Sequence, residues 1–471
     1  MRLLYISILL SLILFSCKKN NNGRDYAYFG GEIINPNKNF VVLTKDNTVI
    51  DTIKLDGNNR FLHKIKNLKP GLYAFFHGSE MQVVLLEPQD SVLVRLNTLE
   101  FDESMVFTGI GDKKNNYFIN AFLDNEKEEK NIFKYCQLSP QDYSRTIDSL
   151  HALKLQNLKN FNLSNKNSEL FENIALNNIN YNYYSAKEVY PFVHFGHNKN
   201  ELLQSIPDNF YAYRANISYN DSLLKDYHYY KTFLRHHVNN IALYKHTAQD
   251  TGEGFKRSSI CFNKDRLEVI DSLISNPSIK NDLLHHVTIN YLSRSNNANN
   301  NTELLNAFLS KSTNTENNEK LTQYVQALNK LKTDNTIPNT VLLDYGHKPH
   351  QLLKLITKPS VLCFWSQKYN NHFIESHIKL DELKLKYPEV NFIVINVDDY
   401  APERSKQLLD KHKFPLVNEF VFEQPNASKE LFAVQPITKA IIVDKNKKIV
   451  NSNANIFSVK FEEYLLGAIN R

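Results

Sequence analysis

The sequence predicts a multidomain protein with an N-terminal β-sandwich, a central α-helical domain and a C-terminal α/β domain. Three observations predict this order. Short runs rich in β-branched and aromatic residues fill residues 25–110. Apolar residues at helical spacing recur through residues 111–335. Strand-like and helix-like segments then alternate over residues 336–471.

The composition is that of a globular chain. Its 471 residues exceed one compact domain, and 42% of them are hydrophobic while 23% are charged. The net charge of +6 is spread over 56 basic and 50 acidic residues without a long basic block. Nucleic-acid binding is therefore not indicated.

The first residues, "MRLLYISILLSLILFSCKKNNN", predict a signal peptide over residues 1–16. Arg2 is a short positive region, and the apolar segment Leu3–Phe15 is too short to span a bilayer of ~30 Å. The ending "LFSC" is similar to a bacterial lipobox, which makes Cys17 the residue that takes lipid; an ordinary cleaved signal with an incidental cysteine is the alternative. With residues 17–24 as a polar tether, we expect a lipid-anchored protein of the bacterial envelope, at the outer membrane and facing the periplasm.

Residues 25–110 predict a small β-sandwich because turn signals separate their short strand-like runs. In "DSVLVRLN", Val92, Val94 and Leu96 alternate with other residues, so one face of that strand should be buried. The segments "GGEI", "DTIKLDGNNRFLHKI", "LKPGLYAFF" and "LLEPQDSVLVRL" resemble the small β domain of unknown function that precedes thioredoxin-like modules in envelope lipoproteins.

The helical region is predicted from apolar stripes. The clearest stripe consists of Leu321, Tyr324, Val325, Leu328 and Leu331. The region also has two pairs of adjacent histidines, His236-His237 and His285-His286, but neighbours on a helix point about 100° apart. We therefore predict no metal site there.

The C-terminal region reads as an α/β layer. "PSVLCFW" and "VNFIVINVDD" are continuous apolar runs typical of buried strands, and a helix is predicted over about 371–387 between them. "ITKAIIVDKNKKIVNSN" predicts a hairpin with its turn at 444–447. Asp398 and Asp399 follow a strand end, and we interpret them as caps of the next helix.

This region resembles the thioredoxin superfamily, closest to TlpA-like periplasmic disulfide reductases. The resemblance rests on "IPNTVLLDYGHKPHQLLKLITKPSVLCFW", on Trp365 in the aromatic pair before the active-site turn, on "VNFIVINVDD", and on "VQPITKAIIVD". It implies a thioredoxin-like fold for residues 336–471 with Pro436 at the family's cis-proline position. It also implies a substrate groove along Trp365, Gln435 and Pro436, where a protein or peptide partner could pair with the backbone of Gln435.

The family's redox motif, FW-x-x-W-C-x-x-C, is altered in this chain. Aligned on "FWSQKYNNHF", Tyr369 occupies the position of the nucleophilic cysteine and His372 that of the resolving cysteine. Neither side chain is a redox thiol. A Tyr–His pair on one helix face can do acid–base chemistry, but no local carboxylate or phosphate loop accompanies it. We therefore predict no catalytic residue and no cofactor.

The remaining cysteines do not replace the motif. Cys136, Cys261 and Cys363 are scattered, and no CxxC occurs. Cys363 lies on the predicted strand before the turn, where a buried cysteine behaves as a small hydrophobe. Three hypotheses remain open: a redox-inactive envelope lipoprotein that binds a protein, peptide or glycan, a thiol-disulfide oxidoreductase that uses a non-standard cysteine, and an assembly component of an outer-membrane system.

Overall fold

The structure, a computed structural model of the chain, describes residues 25–46, 48–78, 80–195, 198–222, 224–225, 227–248, 255–398 and 402–471. The predicted signal peptide, the tether and Cys17 lie outside the described residues. The described chain divides into two compact units. The first comprises residues 25–195, 205–214 and 227–233 with the gaps given above, and the second comprises 198–204, 215–225 and 234–471 with theirs.

Two four-stranded sheets open the first unit. Their strands are β1 (Tyr26–Ile34), β2 (Phe40–Lys45), β3 (Thr48–Lys54), β4 (Arg60–Lys66), β5 (Gly71–His77), β6 (Glu80–Leu86), β7 (Ser91–Asn97) and β8 (Val106–Ile110). The strand orders are β4-β1-β7-β8 and β3-β2-β5-β6. Phe29 and Val92 from one sheet and Val41 and Phe75 from the other share one buried core, so the sheets form a sandwich. The alternation around Val92 is confirmed, because every second residue of that strand is buried.

Helices follow the sandwich. They are α1 (Asp112–Tyr135), α2 (Pro140–Ser164), α3 (Glu169–Val193), α4 (Lys199–Ser205), a 3₁₀ helix (Asp208–Asn216), α5 (His228–Ala248), α6 (Ile260–Leu273), α7 (Pro277–Leu292), α8 (Ala298–Leu309) and α9 (Thr315–Lys330). Many of them begin at a residue whose side chain accepts a backbone N–H of the first turn. These N-caps include Ser139, Ser168, Asn276, Asn297 and Asn314. The asparagine-rich loops of the sequence therefore act partly as helix starts.

A seven-stranded sheet ends the second unit. The strands of this sheet and the helices between and after them are β9 (Val341–Leu343), β10 (Pro349–Gln351), α10 (Leu352–Leu355), β11 (Ser360–Trp365), α11 (Asn370–Lys386), β12 (Asn391–Asn396), α12 (Pro402–His412), β13 (Glu419–Phe422), α13 (Pro425–Leu431), β14 (Ala440–Val443), β15 (Ile449–Ala454) and α14 (Phe461–Ile469). The strand order is β10-β9-β13-β12-β11-β14-β15, with β11, β12 and β13 parallel. The predicted order of a β region, a helical region and a C-terminal α/β region is thus confirmed.

The centre of this sheet is buried on both faces. All six residues of β11 are buried, as the apolar run predicts. Leu362 and Phe364 belong to the core on one face, and Cys363 and Trp365 belong to the core on the other. β11 is therefore packed on both faces up to its last residue, and the turn that follows it begins at a well-packed strand end.

Candidate functional site

The candidate site is the turn between β11 and α11. Tyr369 is the residue that precedes the helix, and its carbonyl accepts the backbone N–H of Phe373 at 2.9 Å. Its own side chain caps nothing and is 55% exposed. The position aligned with the nucleophilic cysteine therefore lies at a helix N-terminus, but it presents a phenol to solvent.

Asp398 holds this turn in place. Its carboxylate accepts the Ser366 hydroxyl at 2.6 Å and the backbone N–H of Gln367 at 2.8 Å, and the residue is only 6% exposed. The interpretation of Asp398 as a cap of the next helix is wrong, because its two carboxylate oxygens bind the turn after β11 instead. The reason is the parallel pairing of β11 with β12, which brings the two carboxyl ends together. Asp399 lies outside the described residues.

His372 is half-buried on the first turn of α11. Its Nδ1 is buried and has no hydrogen-bond partner among the described residues, and its ring lies 6.3 Å from that of Phe457. Burial lowers the pKa of His372, and the nearby His377 lowers it further while Glu375 opposes them. The imidazole is therefore neutral at neutral pH. Within the described part of the chain, no hydrogen bond joins the side chains of Tyr369 and His372.

A buried polar cluster lies beneath the turn. The indole N–H of Trp365 donates to Oε2 of Glu419 at 3.2 Å, and Nε2 of His377 lies 3.2 Å from Oε1 without hydrogen-bond alignment. Nδ1 of His377 lies 2.7 Å from the carbonyl oxygen of Phe373, which can only accept, so Nδ1 carries a proton. Glu419 and His377 are 2% and 4% exposed.

Glu419 and His377 are not among the site residues predicted from the sequence. One signal was available: a buried indole N–H needs an acceptor, and "NEFVF" carries a carboxylate inside an apolar run. This cluster holds Trp365 through the hydrogen bond to Glu419, and Asp398 holds the turn through its bonds to Ser366 and Gln367. Neither contact needs a thiol.

Cys363 lies in the core and not in the turn. It is 4% exposed, and burial raises the pKa of its thiol to about 12, with the carboxylate of Glu419 adding to the rise. A thiol with this pKa is protonated at neutral pH, and the thiol is a poor nucleophile and metal ligand compared with the thiolate.

The predicted groove residues Gln435 and Pro436 are exposed and joined by a cis peptide bond. The backbone of Gln435 is not open, however. Its N–H donates to the carbonyl of Ala433 at 2.8 Å, and its carbonyl accepts the hydroxyl of Tyr324 at 2.9 Å. Tyr324 belongs to α9 and packs against the core of the same unit. A peptide that pairs with this carbonyl must displace the Tyr324 hydroxyl.

Among the described residues, no group of three or more histidine, cysteine, aspartate or glutamate side chains is arranged to hold a metal ion. In the same part of the chain, every helix is too short or too polar to cross a bilayer.

Comparison with known proteins finds neither a matching protein-family model nor a matching curated protein. Solved structures do match part of the chain. A thioredoxin-like protein from Bacteroides caccae is 14% identical, covers 44% of this chain and 77% of its own, and gives a TM-score of 0.33. A thiol:disulfide interchange protein from a Bacteroides species is 16% identical, and the match covers 26% of this chain and 80% of that protein with a TM-score of 0.23. A Bacteroides vulgatus protein whose name assigns it as a thiol-disulfide oxidoreductase is 22% identical, and the match covers 30% of this chain and 98% of that protein with a TM-score of 0.27.

Proposed function

We propose that the protein is an envelope lipoprotein, anchored through Cys17, whose C-terminal domain is a redox-inactive thioredoxin-like module with a binding or assembly role. The observation that carries the proposal is the turn after β11. Asp398 and the packing of Trp365 hold it firmly, but its exposed position is the phenol of Tyr369. A positioned turn without a thiol suits recognition better than disulfide exchange.

The alternative is a thiol-disulfide oxidoreductase that uses a non-standard cysteine. Among the three cysteines of the described residues, Cys261 is exposed, while Cys136 and Cys363 are buried and all three are free. Burial raises the pKa of Cys136 to about 11. Cys261 lies in the first turn of α6 and is the thiol that this alternative requires.

Thiol labelling separates the two functions. We expect one rapid equivalent of a maleimide on the folded chain, at Cys261, and labelling of Cys136 and Cys363 only after denaturation, because buried thiols are protected. Mass spectrometry of peptides identifies the sites. Insulin reduction should equal that of a Cys261→Ser control. Turnover that disappears in Cys261→Ser would establish the alternative and overturn the proposal.

The proposed binding mode is strand addition of a peptide at Gln435, in competition with the Tyr324 hydroxyl. Tyr324→Phe removes this intramolecular hydrogen bond and should strengthen peptide capture about fivefold, the equivalent of one hydrogen bond of about 1 kcal/mol. The measurement is the yield of adducts from a photoreactive side chain placed at Gln435 in cells that make the full chain.

A matched control for this variant is Tyr464→Phe, which removes a hydroxyl from the surface of α14. It should leave the adduct yield unchanged. Absence of adducts in both the parent and Tyr324→Phe would contradict binding at this groove.

The anchoring part of the proposal predicts that Cys17→Ser moves the chain from the membrane fraction to the soluble fraction. Loss of the acyl chains removes the apolar surface that holds the mature protein at the membrane. Incorporation of radiolabelled palmitate by the parent and not by Cys17→Ser is the direct measurement. A parent chain that takes up no label is an ordinary secreted protein.

A further inference from the structure

A cavity of about 340 Å³ opens in the first unit, outside the turn and independent of the proposed function. Side chains of α1, α2 and α3 line it. Its volume falls at the lower end of the range of about 300–1,000 Å³ for small-molecule sites.

The lining is unusual in its carboxamides. The five asparagines that line the cavity are Asn116, Asn120, Asn125, Asn157 and Asn178. A carboxamide offers two donors and one acceptor oxygen in a plane, and this pattern matches a pair of neighbouring hydroxyl groups.

Two of these amides are fixed by the protein. Asn116 exchanges two hydrogen bonds with the backbone of Phe107, at 2.9 and 2.8 Å. Asn125 is 5% exposed, accepts Nζ of Lys154 at 2.7 Å and donates to the hydroxyl of Tyr229 at 3.0 Å. Lys154 also contacts Glu128 at 2.5 Å. The base of the cavity is therefore a preorganised polar network.

Three further polar groups of the cavity wall differ from this network. Within the described residues, the amides of Asn120 and Asn157 and the hydroxyl of Tyr117 make no hydrogen bond, although all three residues line the space. Burial raises the pKa of Tyr117 to about 12, so its hydroxyl stays protonated and can donate. These groups are available to a ligand.

Aromatic rings supply the apolar part of the wall. The rings of Tyr117 and Phe161 line the cavity with centroids 4.9 Å apart, and Phe171 packs behind both of them. The negative face of an aromatic ring attracts the weakly positive C–H groups on the apolar face of a sugar ring.

We infer that this cavity binds a carbohydrate. Amides and a hydroxyl for sugar hydroxyls, next to aromatic rings for the C–H face, are the two kinds of contact that a sugar ring needs. Strand addition of a peptide is disfavoured because the lining residues belong to three helices, which offer no strand edge for backbone pairing. The site is separate from the groove at Gln435, so either can fail without the other.

The test uses the mature full chain on a printed array of neutral, acetamido and acidic oligosaccharides. Asn120→Trp fills the cavity from an exposed position of α1, whereas Asn131→Trp places the same ring on an exposed position of that helix outside the cavity. We expect Asn120→Trp to lose roughly tenfold or more of the binding to the best sugar, as when a ligand is excluded from its pocket, while Asn131→Trp stays within about twofold.

Tyr117→Phe removes only the hydroxyl and should weaken the same sugar roughly fivefold by calorimetric titration, the loss expected for one hydrogen bond. Circular dichroism checks that each variant is folded. Binding of no sugar above the Asn120→Trp background would overturn the inference. Retention of full sugar binding by Asn120→Trp would overturn it too, as would cavity-dependent binding to a parallel peptide array in place of sugars.

Discussion

Replacing Tyr369 and His372 together with cysteine is expected to give the chain a disulfide-reductase activity well above that of the parent. Residue 369 immediately precedes Asn370, the first residue of α11, and a thiol there lies at the positive end of the helix dipole. At pH 7 a thiol of ordinary pKa, about 8.5, is about 3% ionised, whereas a thiol lowered to about 7 is half ionised. A second cysteine at 372 can then resolve the mixed disulfide.

We expect the fold to tolerate both substitutions. Tyr369 is 55% exposed and its side chain does not cap the helix. Nδ1 of His372 is buried and has no hydrogen-bond partner among the described residues, so replacing this ring breaks no hydrogen bond to them at Nδ1. The turn itself depends on Asp398, which the variant keeps. We expect insulin reduction roughly tenfold faster than that of Tyr369→Cys alone, because a single thiol is left as a mixed disulfide.

The matched control is Tyr369→Ser with His372→Ser, which has the same loss of both rings but no thiols. Adding Cys363→Ala to the double-cysteine variant should leave its rate unchanged, since Cys363 is buried with a pKa of about 12. A variant that forms the new disulfide by mass but reduces insulin no faster than the serine control would show that the surroundings of the turn no longer support exchange.

Local pattern was sufficient for the elements around this turn. The run "SVLCFW" is a strand buried along its whole length, and the helix predicted over about 371–387 spans Asn370–Lys386. The hydrophobic pattern of a strand or a helix repeats every few residues, so it can be recognised in the sequence alone. The position of Tyr369 before a helix follows from the same pattern.

Contacts between distant segments could not be predicted in this way. Trp365 and Glu419 are 54 residues apart, and Tyr324 and Gln435 are 111 residues apart. Which carboxylate a buried indole reaches depends on strand order, and the order of β11, β12 and β13 is a property of the whole sheet. The carboxamide cavity was missed for the same reason, because three separate helices contribute to it.

Lys439 is another residue whose behaviour only packing explains. It precedes β14, is 3% exposed, and its Nζ donates to the carbonyls of Phe432 and Ala433 at 2.9 and 3.0 Å. Burial lowers the pKa of Lys439 from 10.5 to about 7. Between these two values the unfolded chain keeps a proton that the folded chain has released. Because of this group, the free energy of unfolding therefore rises as the pH rises above about 7, and the rise levels off near pH 10.5.

The expected size of this effect is about 2 kcal/mol between pH 7 and pH 9 in the free energy of unfolding. In Lys439→Met the group is gone, so the parent should gain about 2 kcal/mol relative to this variant over that interval. Trp365 is the only tryptophan of the chain and is fully buried in the same sheet domain, so urea unfolding followed by its fluorescence reports on this domain.

Comparing the parent with a variant cancels the other groups that titrate between pH 7 and pH 9. Lys445→Met is the matched control, because Lys445 is exposed in the turn between β14 and β15. Its stability should follow that of the parent at both pH values. Parallel pH profiles for the parent and Lys439→Met would mean that Lys439 stays protonated in the folded chain, with its two carbonyl contacts compensating for burial of the charge.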